Sequence, residues 1–257
     1  MDPSKPVRRK VSIVLSDVDG TITAPGDDDS VINLLPGALE TFNQLAQAGT
    51  IVVIISARPM DLLVKTFITM PALKIPNLIL VSNDGCVIRH ADGEFATLRE
   101  RPDYAEIKIA AADFAKRVTD SAAIITYQDM DFVQGIFVKP SNPRFQDVGD
   151  FLRKLVTGSE TLTVKEHKQG WTVELTDKPG KEEAVSRILG GFGENELTVH
   201  YGGDGGRGGN DEKALRLVTQ MGGNAILIDS DPAAGGDYAT QVVAAPEDWH
   251  TYLKQLL

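Results

Sequence analysis

Cysteine is nearly absent, with Cys86 the only one in 257 residues. One thiol cannot close an internal disulfide or build a cysteine zinc site, and it fits a reducing cytoplasm, the expected location. Histidine is almost as scarce. His90, His167, His200 and His250 lie scattered without metal-ligand spacing, and none is assigned a role. Basic charge is in deficit: 26 Lys and Arg stand against 36 Asp and Glu, for a formal net charge of −10. Such a surface repels nucleic-acid phosphate and argues against a DNA or RNA partner. A small anionic ligand stays compatible, because a metal or a local cluster of cations reverses the field inside one pocket. Long apolar runs are missing as well, and nothing approaches the roughly 18–20 residues that span a bilayer. The opening MDPSKPVRRK has the charge of a signal-peptide start, but the apolar run VSIVLS is short and ends at Asp17, so neither secretion nor a membrane partner is expected. No repeat of fixed period is present, and no feature of the sequence sets an oligomeric state.

What remains is a chain long enough for one large domain or two smaller ones, with strong local patterning. Val11–Ser16 is short, branched and apolar, as suits a strand buried on both faces. Leu35, Ala38, Leu39, Phe42, Leu45 and Ala46 recur at helical spacing and stop at Gly49, a fitting left-handed C-terminal residue. A second strand over 51–56, a short helix from Met60 to Phe67 and a third strand over 78–81 continue the alternation of a parallel sheet covered by helices. The middle changes character to helix (103–118), two strands, helix (145–156), two strands (161–166 and 171–175). After Lys181 the first pattern returns. The expected fold is therefore α/β, a Rossmann-like parallel-sheet core with an inserted α+β cap: core 1–100, cap 101–177, core 178–257.

Polar residues cluster at the expected strand ends. Asp17-Val-Asp19-Gly20-Thr21 follows the first buried strand, where open α/β sheets place their ligands, and two carboxylates on a tight glycine turn can converge on one metal. Ser56 ends the second strand in ISARP, with Arg58 close by. Taken singly, Ser56 reads as a strand-to-helix cap, and Lys181, at the head of the returning helix, as a solvated lysine. Asp204 follows another buried strand, and Asn210-Asp211 opens the next helix. The coincidence of type and placement points to one anion-and-metal site.

DVDGT, the serine of ISARP, Lys181 and the GGD…GGND segment resemble the four motifs of the haloacid dehalogenase superfamily of phosphotransferases. The resemblance spans nearly the whole chain, since the inserted α+β layer matches the large cap of some members. The nearest subgroup by resemblance is the trehalose-phosphate phosphatases, supported also by NDG at 83–85 and by the strand Trp171–Leu175 ahead of a lysine-led helix. The resemblance implies that Asp17 attacks phosphorus and that Asp19 is the acid/base. It implies that Ser56, Arg58 and Lys181 bind phosphate, and that Mg²⁺ is held by Asp17, the Asp19 carbonyl, Asp204, and Asn210 or Asp211. The implied substrate is a small-molecule sugar phosphate, foremost trehalose 6-phosphate or a related disaccharide phosphate. Glu166, Lys168 and Glu174, read as exposed strand residues of the cap, are the candidate sugar-hydroxyl contacts.

Two departures stand out. GGRGG separates Asp204 from Asn210-Asp211, which leaves open which of these touches the metal, and Gly170 is followed by Trp171 where the subgroup commonly has lysine. The GGND ending also resembles phosphomannomutases, and a catalytically silent sugar-phosphate binding protein is a further alternative. Gly203–Gly208 is a formal GxGxxG with Asp229 downstream, the pattern of an NAD-dependent oxidoreductase. Asp204 inside that loop repels a pyrophosphate, and the reading leaves Asp17, Asp19, Ser56 and Lys181 without a purpose. Asp27-Asp28-Asp29 lacks the spacing of a calcium loop and reads as a solvated connection.

Overall fold

The computed structural model describes residues 9–23, 31–118, 126–130, 132–167 and 170–257, with backbone alone at 126–130 and 167. Two compact units emerge: one runs to Leu98 and resumes at Pro179, and the other is Arg99–Lys178. In chain order the first unit contains β1 (Lys10–Ser16), α1 (Ala38–Gln47), β2 (Ile51–Ile55), α2 (Met60–Val64), β3 (Ile79–Ser82), β4 (Val87–Arg89) and β5 (Phe95–Thr97). The second contains α3 (Ala105–Val118), β6 (Thr126–Met130), β7 (Val133–Phe137), α4 (Phe145–Leu155), β8 (Leu162–His167) and β9 (Gly170–Leu175). The first unit then resumes with α5 (Lys181–Gly190), β10 (Glu196–Gly203), α6 (Glu212–Gln220), β11 (Asn224–Ile228), β12 (Gln241–Val243) and α7 (Pro246–Lys254).

In the first unit the strands form one sheet in the order β12-β11-β10-β1-β2-β3-β4-β5, parallel from β12 through β3. The continuous apolar runs are explained by burial on both faces. Ile13 and Leu15 pack into one core with Val53, Ile55, Tyr201 and α5 and α6 residues, while Val14 packs into the opposite core with Val52, Ile54, Phe42 and Trp249. Gly49, just beyond α1, takes a φ of 95°, the left-handed conformation expected of it. The short helix after ISARP ends in a π-turn over Lys65–Thr69. The antiparallel hairpin β4–β5 at the sheet edge was not foreseen, because three-residue strands with part-exposed side chains carry no periodic signal.

The second unit is a four-stranded antiparallel sheet, β6-β7-β9-β8. Ile107, Ala111, Val148 and Leu152 of its two helices cover one face, against Ile136, Trp171 and Val173. The Trp171 indole N–H donates to the Phe145 carbonyl at 2.8 Å.

The site is set by the centre of the parallel sheet. β1 lies beside β10 with Ser16 opposite Gly202, and the Asp17 N–H donates to the Gly202 carbonyl at 2.9 Å. The loops leaving β1 and β10 at their carboxyl ends therefore start side by side.

Candidate active site

Lys181 anchors the cluster. As the first residue of α5 it is fully buried, contrary to the solvated position that a lone lysine there suggests. Its ammonium donates to Asp17 Oδ1 at 2.6 Å and to Asp211 Oδ1 at 2.8 Å. Burial alone would depress its pKa, but the Asp17 and Asp211 carboxylates reverse that and hold it raised, so it stays charged. Asp17 is 4% exposed, and burial raises its pKa well above the ordinary carboxylate range; Lys181 opposes the shift, while Asp211 and Asp204 add to it. Asp204 lies on an exposed loop, yet its carboxyl is raised to about 6, through desolvation by the surrounding loops and then the charge of Asp211. Thr21 Oγ1 stands 3.5 Å from Asp17 Oδ2.

One carboxylate oxygen from each of Asp17, Asp204 and Asp211 falls within 4.8 Å of the others. Two of the three carboxyls, Asp17 and Asp204, are pushed toward protonation, by burial first and then by the charge of Asp211. Hard oxygen donors at this spacing fit Mg²⁺. The glycine insertion thus removes neither carboxylate from the cluster. The loop after Asp204 doubles back, and Gly205 N–H donates to Asp211 Oδ2 at 3.0 Å. A Cβ on Gly205 would lie 2.7 Å from that same oxygen, so only glycine permits the approach. Gly20 has the same necessity: its φ is 70°, and a Cβ there would overlap the Asp204 carboxylate.

Tyr201 was missed by sequence reasoning. It is fully buried in β10, and its hydroxyl donates to Asp211 Oδ1 at 2.5 Å. Burial, then the Asp211 charge, raises its pKa, which keeps the phenol protonated as a donor. Only a hydroxyl near the end of β10, three residues before Asp204, hinted at it.

A second group of contacts surrounds Asp19. Arg58 Nε donates to Asp19 Oδ2 at 2.9 Å and Nη2 to Oδ1 at 2.8 Å. Ser56 Oγ accepts the Arg58 N–H at 3.0 Å, a local turn bond rather than a helix cap, since α2 starts after Pro59 without a side-chain capping bond. A hydroxyl that accepts one bond still has its O–H to donate to an anion. The NDG turn is tied to the same loop: Asn83 N–H donates to the Arg58 carbonyl and Asp84 N–H to the Ser56 carbonyl, each at 3.1 Å. Asn210 Nδ2 donates to Asp84 Oδ1 at 3.2 Å, which directs its amide to this turn.

The glycine loop is no dinucleotide cradle. Gly205 and Gly208 N–H groups bind the Asp211 and Glu212 carboxylates, and Gly206 and Gly209 bind the carbonyls of Asp204 and Gly206. Those donors are spent inside the loop instead of facing a pyrophosphate.

The expected sugar contacts need correction. Glu174 is not exposed: its residue is 2% accessible, with Lys178 donating to Oε2 at 2.9 Å and Lys165 in ion-pair contact with Oε1 at 2.5 Å. Burial would raise its pKa, but the two lysines hold it below the usual range. Glu166 is exposed, but it pairs with Trp171 across β8 and β9 and shares the face of Leu162 and Val164, whereas Glu174 pairs with Thr163 on the opposite face. The period of two thus separates the two glutamates. Lys168 lies outside the described residues, as does the Asp27–Asp29 run.

Comparison with known proteins agrees with this arrangement. The profile of the trehalose-phosphatase family matches residues 15–232. A search of curated protein sequences finds no match. Among solved structures, the C-terminal domain of a C. albicans trehalose-6-phosphate phosphatase superposes with a TM-score of 0.70 at 17% identity, over 97% of this chain and 92% of that one. A haloacid dehalogenase-like hydrolase from Bacteroides thetaiotaomicron gives 0.71 at 14% identity, over 96% and 100% of the two chains. An Aspergillus fumigatus trehalose-6-phosphate phosphatase gives 0.61 at 20% identity, over 97% and 92%.

Proposed function

Because the chain belongs to the trehalose-phosphatase family, within the haloacid dehalogenase superfamily, we infer that it hydrolyses a sugar phosphate, with trehalose 6-phosphate as its leading substrate. The observation that carries this reading is the convergence of Asp17, Asp204 and Asp211 on Lys181 beside the ends of β1 and β10.

In this reading Asp17 is the nucleophile. Its burial and its bond to Lys181 fix the carboxylate, and attack on phosphorus gives an aspartyl-phosphate. Asp19 protonates the departing sugar oxygen, then takes a proton from the water that cleaves the intermediate. Lys181 and the Ser56 hydroxyl offer donors to the phosphate oxygens, where charge must be stabilised during in-line transfer. Asp17, Asp204 and Asp211 would hold Mg²⁺, which would supply positive charge to screen an anionic nucleophile from an anionic phosphate. Asp211, with both oxygens engaged by Lys181, Tyr201 and Gly205, keeps the carboxylates in place. The segment 101–177 is proposed as the substrate-selecting cap.

The test is phosphate release from a panel of sugar phosphates, with Mg²⁺ and with chelator. Trehalose 6-phosphate is expected to lead, chelator to abolish release, and Asp17→Asn to leave none. Asp19→Asn is expected to slow turnover by roughly 10²–10⁴-fold. Near-normal turnover in Asp17→Asn would overturn the mechanism, and a flat panel would overturn the sugar-phosphate reading.

A further inference from the structure

Arg58 reads from sequence as one more phosphate ligand; in the structure its guanidinium is turned to Asp19. Its guanidinium meets Asp19 as a fork: Nε on Oδ2 at 2.9 Å and Nη2 on Oδ1 at 2.8 Å, two parallel bonds that use one lone-pair site on each oxygen. The Asp19 side chain is 46% exposed, whereas that of Arg58 is only 16% exposed. The arginine is therefore the better-fixed partner. Its backbone is held at both ends, by the N–H bond to Ser56 Oγ at 3.0 Å and by its carbonyl accepting from Asn83 at 3.1 Å. A half-exposed carboxylate on a glycine turn would otherwise rotate freely about its terminal torsion.

We propose that Arg58 is the positioning residue of the acid/base Asp19, and that it acts on the leaving group through that carboxylate. The proposal rests on the phosphatase reading above. In the first half-reaction a bond forms between Asp17 and phosphorus. The bond from phosphorus to the sugar oxygen breaks with its electron pair moving to that oxygen, which takes the proton carried by Asp19. In the second, water attacks phosphorus, Asp19 accepts its proton, and the Asp17–phosphorus link breaks to release phosphate and restore the carboxylate. Each Asp19 oxygen keeps a second lone-pair site beyond the one that Arg58 occupies. The fork can thus set the plane of the carboxyl without blocking transfer. Lysine at this position keeps the charge and loses the plane.

Leaving-group dependence separates this role from its rivals. Expulsion of an unactivated sugar oxygen needs the acid, whereas p-nitrophenolate leaves without one. kcat/KM reports only steps up to the first irreversible one. Arg58→Lys is expected to lower kcat/KM on trehalose 6-phosphate, or on the panel's best sugar phosphate, by roughly 10–100-fold, as expected for a misplaced catalytic group. On p-nitrophenyl phosphate the loss should stay within about threefold, in line with a step that does not use general acid catalysis. Asp19→Asn should show the same selectivity, and adding Arg58→Lys to it should widen the ratio no further. Arg58→Gln serves as a second variant. Because the ratio of the two substrates is independent of the fraction of folded enzyme, a merely structural defect cannot imitate it. Equal losses on both esters would overturn the proposal while leaving the phosphatase reading standing. Wild-type protein that cleaved neither ester would overturn both.

Discussion

At the residue scale, the two candidate metal carboxylates beyond β10 differ in how they are held. Asp211 is fully buried and spends both oxygens on three donors, Lys181, Tyr201 and Gly205. Asp204 directly follows β10 on an exposed loop. A carboxylate already saturated by fixed donors acts more as an organiser than as a mobile ligand, and its partners suffer when it is lost. Asp204→Ala is therefore expected to raise the Mg²⁺ concentration for half-maximal activity by about tenfold or more, as is usual on removal of a ligand or its supporting partner. The isosteric Asp211→Asn should change the Mg²⁺ requirement less and the unfolding midpoint more, because it leaves buried Lys181 short of a counter-charge. Magnesium titration of activity, beside urea unfolding in chelator, would decide it. The reverse ranking would make Asp211 the principal ligand.

At the scale of single elements, α4 contains a glycine that helix propensity does not explain. Gly149 lies in mid-helix against the Trp171 indole, and a Cβ there would stand 2.7 Å from two ring atoms. Alanine at an exposed helical position would gain up to about 1 kcal/mol over glycine. Here the overpacking is expected to dominate, so that Gly149→Ala destabilises the α+β unit by about 1–3 kcal/mol. Chemical unfolding followed through Trp171 fluorescence would test this; a stabilised variant would mean that the indole can move aside at little cost. The same contact shows what the Trp171 side chain after Gly170 is used for. The side chain is 2% exposed and belongs to the core beneath α3 and α4. Sequence showed the departure from pattern, but not where the ring goes.

For the molecule as a whole, two buried histidines bear on pH. Burial lowers the pKa of His200, which contacts Tyr252 at 2.8 Å. It lowers that of His250 too, with Lys254 adding to the effect, beside Thr41 at 2.8 Å. Both rings are thus neutral in the folded protein at a pH where the unfolded chain, with histidine near about 6.5, binds protons. The unfolded state then holds more protons. Stability contributed by these two residues is complete above about 6.5 and falls as pH drops below it. Asp204, raised to about 6, works in the opposite direction, its contribution being lost as pH rises through that value. Subtracting a His200→Gln/His250→Gln variant from wild type cancels the Asp204 effect. The difference in unfolding free energy should shrink steadily as pH falls below about 6.5. A difference independent of pH would mean that the rings titrate alike in the folded and unfolded chains.

Much of the core was already present in local pattern. Apolar runs such as Ile13–Leu15 and Val52–Ile55, and the helical spacing around Phe42, follow from burial imposed residue by residue, which a one-dimensional sequence records directly. The motif residues likewise announced themselves by falling after those runs. Convergence was decided elsewhere. Lys181 and Asp17 are 164 positions apart, and they meet because Asp17 follows β1 at the sheet's centre while Lys181 heads α5, which packs on the face of Ile13 and Leu15. Asp204 and Asp211 stay together across GGRGG because the loop doubles back, with Asp211 held by Lys181, Tyr201 and Gly205. Whether Arg58 faces phosphate or Asp19 depended on the fork that two loops bring together. Glu174 passed for a surface residue because a period of two states which face a side chain takes, but not which neighbours cover that face. The long buried strands, the change of pattern at the insertion and the chemical inventory were legible locally, since each is a property of neighbouring residues; β4 and β5, too short for a period, were not. Which charges touch follows from strand order, register and helix packing, and no local pattern encodes any of these.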